Sequence, residues 1–358
     1  MGLWEYRRRV AAAAGIMLVI VAGACWLAAS LMPPAADCLR DSRNPYRFRD
    51  WARYLRGLRH AEDAALVVVI SDSQGYAGEL ASRRSYCARL EALLNERQTA
   101  GFARWEVANL SIDGVTPIEY MALAAALRDV QPQWAISISG SADYRRANYT
   151  RGFSFPRTDL PHLLTRWQVA RRLSADFWRR HGKVEDTLTA WCNRQMPLLR
   201  CRDFLWSWLD TRFPGAQKAF YAPRTTYRYW QLPGKPLAAA LPDPFPQRGG
   251  ERLDLTYDAV SGIMLRDFLV EFGRIPAAHR LVVAAPLASD FADSHEAPWI
   301  ANFRRDAAQF SAELGLPFHD LTLALPAADF INSNHMNGRN HQRLAEWLAD
   351  YIAAAAEP

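Results

Sequence analysis

A serine and a histidine lie where they could perform acyl transfer together. Ser73 follows the apolar run Leu66–Ile70 closely, and His335 lies in the distant segment Asn332-Ser333-Asn334-His335. A serine hydroxyl becomes a nucleophile when an imidazole accepts its proton and nearby donors bind the developing oxyanion. The sequence therefore predicts Ser73 as a nucleophile and His335 as its base. A purely structural alternative is that Ser71 and Ser73 cap the next helix, where serine is common.

The elements that must position these residues alternate between strands and helices. Leu66–Ile70 is uniformly apolar and rich in β-branched residues, which is typical of a strand buried on both faces. Further strands are predicted at Trp105–Ile112 and Trp134–Ile138, with helices at Tyr86–Glu96 and Ile118–Val130. This succession predicts an α/β fold of three layers, a parallel sheet flanked by helices, with ligands at the carboxyl ends of the strands.

The same pattern returns in the last third of the chain. Its predicted elements are a helix at Leu253–Phe272, a strand at Arg280–Pro286, a helix at Trp299–Leu314, a terminal loop starting at Asp320 and a helix at His341–Ala354. Between the two parts, residues 144–250 are rich in tryptophan and arginine. We interpret them as a mainly helical insertion, either a cap that fills its own core or a surface for a membrane or partner. The α/β domain is thus predicted at 63–143 and 251–358.

Four short blocks resemble those of the SGNH (GDSL-type) hydrolase superfamily. They are Ser71-Asp72-Ser73-Gln74-Gly75, Asn109-Leu110-Ser111-Ile112-Asp113-Gly114, Ser139-Gly140-Ser141-Ala142-Asp143 and Asn332-Ser333-Asn334-His335-Met336-Asn337. The resemblance covers residues 60–143 and 255–355. It implies Ser73 as nucleophile, His335 as base, and Ser73 and Gly114 as oxyanion donors, although a lone glycine can also serve a turn. Substrate contacts are implied at Asp72, Gln74, Ser141, Ala142 and Asn337.

Three positions depart from the pattern of that superfamily. Ser71 replaces a glycine, Ala142 replaces an oxyanion-binding asparagine, and Asn332 replaces the acid that orients the histidine. Losing one oxyanion donor typically costs about 10²- to 10³-fold in rate, and changing the triad acid to its amide costs about 10⁴-fold. Two interpretations follow, a rebuilt enzyme and a catalytically impaired domain.

A rebuilt site has candidate replacements within the chain. Asn332 can itself orient a catalytic histidine, as asparagine does in cysteine proteases, and Asp320 and Asp329 lie close enough in sequence to act as the acid. Ser141 offers a hydroxyl in place of the missing amide. His319 is interpreted as a loop residue. No histidines have metal-site spacing such as H-E-x-x-H, so neither a metal nor a cofactor is predicted.

The N-terminus predicts a membrane anchor. Three arginines, Arg7 to Arg9, precede an unbroken apolar segment from Val10 to Met32, which is long enough for a bilayer core. The positive charges predict a cytoplasmic tip at 1–9 and a single span at 10–32 in a bacterial inner membrane. A stalk at 33–62 then leads to a periplasmic or extracellular domain. The alternative is a cleaved signal peptide, with small residues at 22–24 before Cys25.

Charge and cysteine content limit the partners and the compartment. The chain of 358 residues has a net charge of +6 and a pI near 9.2. In an exported domain this basic character favours anionic lipid or acidic glycan, so no nucleic-acid partner is predicted. Four cysteines follow the anchor, and Cys192 with Cys201 is the first choice for a disulfide. The full set is Cys38, Cys87, Cys192 and Cys201. The alternative is that some are buried thiols.

The layout of one anchor followed by an SGNH-like domain resembles membrane-anchored proteins of alginate and cellulose O-acetylation or teichoic acid D-alanylation. That resemblance implies transfer or removal of acyl groups on a cell-envelope polysaccharide, with a membrane-bound O-acyltransferase as partner and Ser73 as acyl carrier. The alternative is a catalytically impaired subunit that binds glycan or scaffolds a polysaccharide complex. Catalysis needs Ser73 and His335 within hydrogen-bond reach, whereas a scaffold does not.

Overall fold

The computed structural model describes residues 3–30, 64–76, 85–99, 102–112, 114–145, 257–288, 297–330 and 334–356. The predicted stalk, nearly all of the insertion and Asn332 lie outside these residues, as do Cys38, Cys192 and Cys201. Helix α1 spans Leu3–Ser30. Among the described residues, no helix combines the length and the apolar character needed to cross a membrane.

In the part of the chain that the structure describes, five parallel strands form one sheet, in the order β2-β1-β3-β4-β5. The strands are β1 (Ala64–Ser71), β2 (Arg104–Asn109), β3 (Trp134–Ser139), β4 (His279–Ala284) and β5 (Phe318–Asp320). In this order, β1 connects to β2 on one side and lies beside β3 on the other. The chain leaves β1 towards β2 and leaves β3 towards β4, so the loops after these two neighbouring strands run in opposite directions. Open α/β sheets bind ligands at such a point.

The helices cover both faces of this sheet. They are α2 (Ser73–Tyr76), α3 (Tyr86–Glu96), α4 (Pro117–Ala126), α5 (Ala259–Gly273), α6 (Ala297–Glu313) and α7 (Gly338–Ala356). The starts of α3 and α5 carry capping residues, because the first backbone N–H groups of a helix need acceptors. The Ser85 hydroxyl accepts from the Ala88 N–H at 3.3 Å, and the Asp258 carboxylate accepts from the Ser261 N–H at 2.9 Å.

Strand β1 shows why the fold has three layers. Its successive side chains point to opposite faces, and both faces are apolar. One face packs with α4, α5 and α6 through Leu66, Val68 and Ile70. The other packs with α3 and α7 through Ala65, Val67 and Val69. The predicted α/β fold with a helix-flanked parallel sheet is confirmed. Cys87 belongs to the second core, in which its side chain is buried.

Candidate active site

The carboxyl edge of the sheet brings Ser73 and His335 together. Strand β1 ends at Ser71, and Ser73 begins the short helix α2. His335 comes from the loop before α7, and its Nε2 lies 2.9 Å from the Ser73 Oγ. The two residues are 262 positions apart in sequence, so the contact depends on the tertiary fold. The predicted nucleophile and base are therefore in direct hydrogen-bond contact.

Asp72 and Gln74 hold Ser73 in place from either side. The Asp72 Oδ1 accepts the Gln74 backbone N–H at 2.9 Å, and the Gln74 side-chain amide donates to the Pro286 carbonyl at 2.8 Å. Both side chains are buried. These bonds fix the turn that carries the nucleophile, and the substrate contacts implied at both residues stay predictions.

The loop after β2 supports the same turn. The Asn109 side-chain amide donates to the Gly75 carbonyl at 2.8 Å, and the Ser111 hydroxyl donates to the Asn109 Oδ1 at 2.5 Å. Gly75 is tightly enclosed: a Cβ there would lie 2.0 Å from the Ser111 Oγ, 2.6 Å from the Tyr86 hydroxyl and 2.8 Å from the Ser71 Cβ. Only a residue without a side chain fits beneath the nucleophile.

Gly75→Ala is therefore expected to destabilise the protein by about 1–3 kcal/mol, the usual cost of overpacking a closed core. It should also displace Ser73, because α2 is the element that must move. Urea denaturation measures the first effect, and labelling of Ser73 by a fluorophosphonate measures the second. The matched control is Gly273→Ala at the end of α5, where the nearest atom to a new Cβ, in Leu316, is 3.8 Å away. Equal stability of the two variants would contradict the role of Gly75.

The segment after β3 is held by a buried carboxylate that the sequence did not single out. The Asp143 Oδ2 accepts the Gly140 backbone N–H at 2.8 Å and the Tyr120 hydroxyl at 3.0 Å. Burial and the nearby charge of Asp72 raise the pKa of Asp143 well above its usual range. An acidic residue three positions after Gly140 was the available signal, because that spacing suits a capping contact.

Ser141 and Ala142 lie in this segment with different surroundings. Ala142 is partly buried and packs against the core that contains α4, α5 and α6, and its implied contact with substrate stays a prediction. The Ser141 side chain is buried, and its Oγ has no hydrogen-bond partner among the described residues. An unsatisfied buried hydroxyl is costly, so a bound partner would stabilise it. The role of Ser141 as an oxyanion donor stays a prediction.

Gly114 lies in the loop after β2. Its φ of 62° falls in the left-handed region, which favours glycine over residues with a Cβ. This conformation accounts for glycine at the position as a turn requirement. Its role as an oxyanion donor stays a prediction.

The terminal loop that carries His335 is closed by contacts between its two ends. Phe330 and Met336 form an antiparallel bridge, and the Asn337 backbone N–H donates to the Asp329 carbonyl at 2.9 Å. The Asn337 side chain caps α7, because its Oδ1 accepts the Arg339 backbone N–H at 2.9 Å. Its amide also donates to the Asp329 Oδ1 at 3.1 Å. Its amide thus holds the loop closed, and its implied contact with substrate stays a prediction.

The two acids considered as replacements for a triad acid have other partners. Asp329 accepts from Arg343 at 2.5 Å as well as from Asn337, and these bonds hold its pKa below the usual range. Asp320 pairs with Arg304 at 2.5 Å and accepts the Thr322 N–H at 3.0 Å. Asp329 therefore stabilises the histidine loop, and Asp320 the end of β5.

His341 follows His335 by six residues, and its contacts are structural. Its Nδ1 accepts the Tyr86 backbone N–H at 3.1 Å, and its ring stacks on that of Tyr86 with centroids 5.7 Å apart. Burial, with smaller contributions from the charges of Arg89 and His335, lowers the pKa of His341 to about 3. The ring is thus neutral and joins the starts of α3 and α7 behind the site.

Asp72 makes the stability of the protein depend on pH. Burial raises its pKa to about 6, although the Gln74 N–H and the charge of His335 act in the opposite direction. Because the folded pKa is higher than the unfolded one, ionisation of Asp72 lowers stability as pH rises from about 4 to about 6. Above that window the buried charge costs about 3 kcal/mol.

Asp72→Asn is therefore expected to raise the free energy of unfolding by as much as about 3 kcal/mol at pH 8 and by little at pH 4. The asparagine oxygen can still accept the Gln74 N–H, so the turn is retained. Urea denaturation at both pH values measures the difference. A gain that is the same at pH 4 and pH 8 would show that the buried charge is not its cause.

Comparisons with known proteins find distant similarity to solved structures and none to a protein family. No protein-family model matches the sequence, and no curated protein matches it. Among solved structures, the chain is similar to LAE5, an α/β hydrolase from the metagenome of Lake Arreo in Spain, at 11% identity and a TM-score of 0.41, over 81% of this chain and 96% of that one. It is also similar to Axe2, an acetylxylan esterase from Geobacillus stearothermophilus, at 12% identity and a TM-score of 0.41, over 80% and 94%. At these identities the chemistry of this chain has to be derived from its own residues.

Proposed function

We propose that this protein is a serine acylesterase or O-acyltransferase that acts on the acyl groups of a cell-envelope polysaccharide. The observation that carries the proposal is the 2.9 Å contact between the Ser73 Oγ and the His335 Nε2 at the carboxyl edge of the sheet. A nucleophile and a base in hydrogen-bond contact are the minimum requirement for acyl transfer through a covalent intermediate.

The chemical steps follow from this contact. His335, with its own proton on Nδ1, accepts the Ser73 proton at Nε2 while the Ser73 oxygen attacks the acyl carbonyl. The oxyanion accepts hydrogen bonds from the backbone N–H groups of Ser73 and Gly114 and from the Ser141 hydroxyl. The imidazolium then returns its proton to the leaving sugar oxygen, which leaves an acyl group on Ser73. Water releases the acyl group in an esterase, and a sugar hydroxyl accepts it in a transferase.

The envelope setting is part of the proposal and is supported by the sequence. The apolar segment at 10–32 after three arginines supports a single-pass anchor in a bacterial inner membrane, with the catalytic domain outside the cytoplasm. A membrane-bound O-acyltransferase is the proposed partner, because it would supply the acyl group across the membrane.

The catalytically impaired scaffold is the second candidate. Ala142 favours it, because its methyl packs into the core where the superfamily would place an oxyanion-binding amide. Labelling of the purified protein with a fluorophosphonate tests both candidates. The proposed enzyme is labelled at Ser73, Ser73→Ala loses the label, and the matched variant Ser71→Ala keeps it. Absence of label in the unaltered protein would leave the scaffold.

A further inference from the structure

A groove of about 590 Å³ opens beside the terminal loop, at the start of α7. It is lined by Arg89, Asn337, Arg339, Gln342, Arg343 and Glu346, together with a glycine. Three of these side chains are guanidinium groups, and Glu346 is the acid among them. We call this feature the basic groove.

Arg339 and Arg343 of the basic groove keep part of their side chains exposed although both lie near Asp329. Arg343 is held by Asp329 at 2.5 Å and is 43% exposed, whereas Arg339 lies 3.8 Å from Asp329 and is 81% exposed. Arg89 donates to the Gln342 side chain and stays close to Gly338, since its NH2 would lie 3.8 Å from a Cβ there. The 19-residue helix α7 also directs its positive end into the groove. The groove therefore suits a negative group.

Its position relates the groove to the catalytic pair. Asn337 lines the groove and lies two residues after His335, so their Cα atoms are within about 7 Å of each other. The groove therefore adjoins the loop that carries His335, at a distance that a neighbouring sugar of a bound polymer can span. Guanidinium groups bind carboxylate and phosphate in a bidentate way, which gives direction as well as affinity.

We propose that the basic groove binds a carboxylate or phosphate group of the substrate polymer, next to the sugar that carries the acyl group. The substrate class is then an acidic polysaccharide and not a neutral one. This inference rests on the proposed function for its meaning, but the binding itself does not require catalysis.

Binding by the purified full chain tests the proposal with three probes: polygalacturonate for carboxylate, inorganic polyphosphate for phosphate and dextran for a neutral polymer. We expect one of the two anionic probes to bind at least about tenfold more tightly than dextran. Arg339→Gln should weaken that binding about tenfold, because one charge-assisted contact is lost. The matched control is Arg266→Gln on α5, which is 59% exposed and pairs with Glu313 at 3.6 Å.

Three outcomes would overturn the inference. They are equal binding of dextran, unchanged binding by Arg339→Gln, and an equal loss in Arg266→Gln, which would indicate only general positive charge. Arg343→Gln gives a second measurement, and circular dichroism melting shows that each variant is folded. Fluorophosphonate labelling separates the two proposals. If Ser73 is labelled but no anion binds, only the proposed role of the groove is rejected. If an anion binds but Ser73 is not labelled, only the proposed enzymatic function is rejected.

Discussion

Replacing His335 by alanine is expected to lower the turnover of an activated acetyl ester by about 10²- to 10⁴-fold, the usual contribution of a general base. The reason is that its Nε2 lies 2.9 Å from the Ser73 Oγ and accepts the serine proton. Removal of the ring leaves Ser73 without this proton acceptor. Steady-state kinetics with a chromogenic ester measures the loss. Stability should change little, because the ring lies at the carboxyl edge of the sheet and His335 is only partly buried.

The matched control for this prediction is His319→Gln. His319 is a partly exposed histidine of β5 whose ring contacts those of Trp347 and Tyr351, with centroids 5.3 Å and 4.9 Å away. Its replacement should leave turnover near that of the unaltered protein. If His335→Ala also retained its turnover, the contact with Ser73 would be structural and the proposed mechanism would fail.

The fold could be predicted from the sequence because its strands and helices have strong apolar patterns. The helix predicted at Tyr86–Glu96 has those bounds in the structure, and the buried run Leu66–Ile70 forms most of β1. The strand Phe318–Asp320 was predicted only as the start of a loop. It has three residues, one of them exposed, so it lacks the alternating pattern that would indicate a strand.

The site could be predicted only where a residue type carries the chemistry. A serine at the end of a strand and a histidine in a late loop indicated a pair, and the structure places them in contact. The roles of Asp72, Gln74 and Asn337 could not be derived in this way, because each depends on a backbone partner that is set by three-dimensional packing. His341 shows the same limit: nothing in its sequence position indicates that its ring is buried against Tyr86 and neutral.

Asn332→Asp is expected to raise turnover of the same ester, by as much as about 10⁴-fold, which is the cost of the reverse change in a serine protease. A carboxylate would fix the tautomer of His335 with its proton on Nδ1 and stabilise the imidazolium that forms during attack. Position 332 is the natural place for it, because Asp329 is already bound to Arg343 and Asn337.

The matched control for Asn332→Asp is Asn334→Asp, which adds the same charge to the same loop at a position next to His335. If charge alone raised turnover, both variants would be faster. If the carboxylate has to orient the ring, only Asn332→Asp would be faster. Equal or lower turnover in Asn332→Asp would mean that Asn332 belongs to a working arrangement of its own, in which an amide orients the histidine. In that case Asn332→Ala would lower turnover, and the departure from the superfamily would be a rebuilt site and not a loss of function.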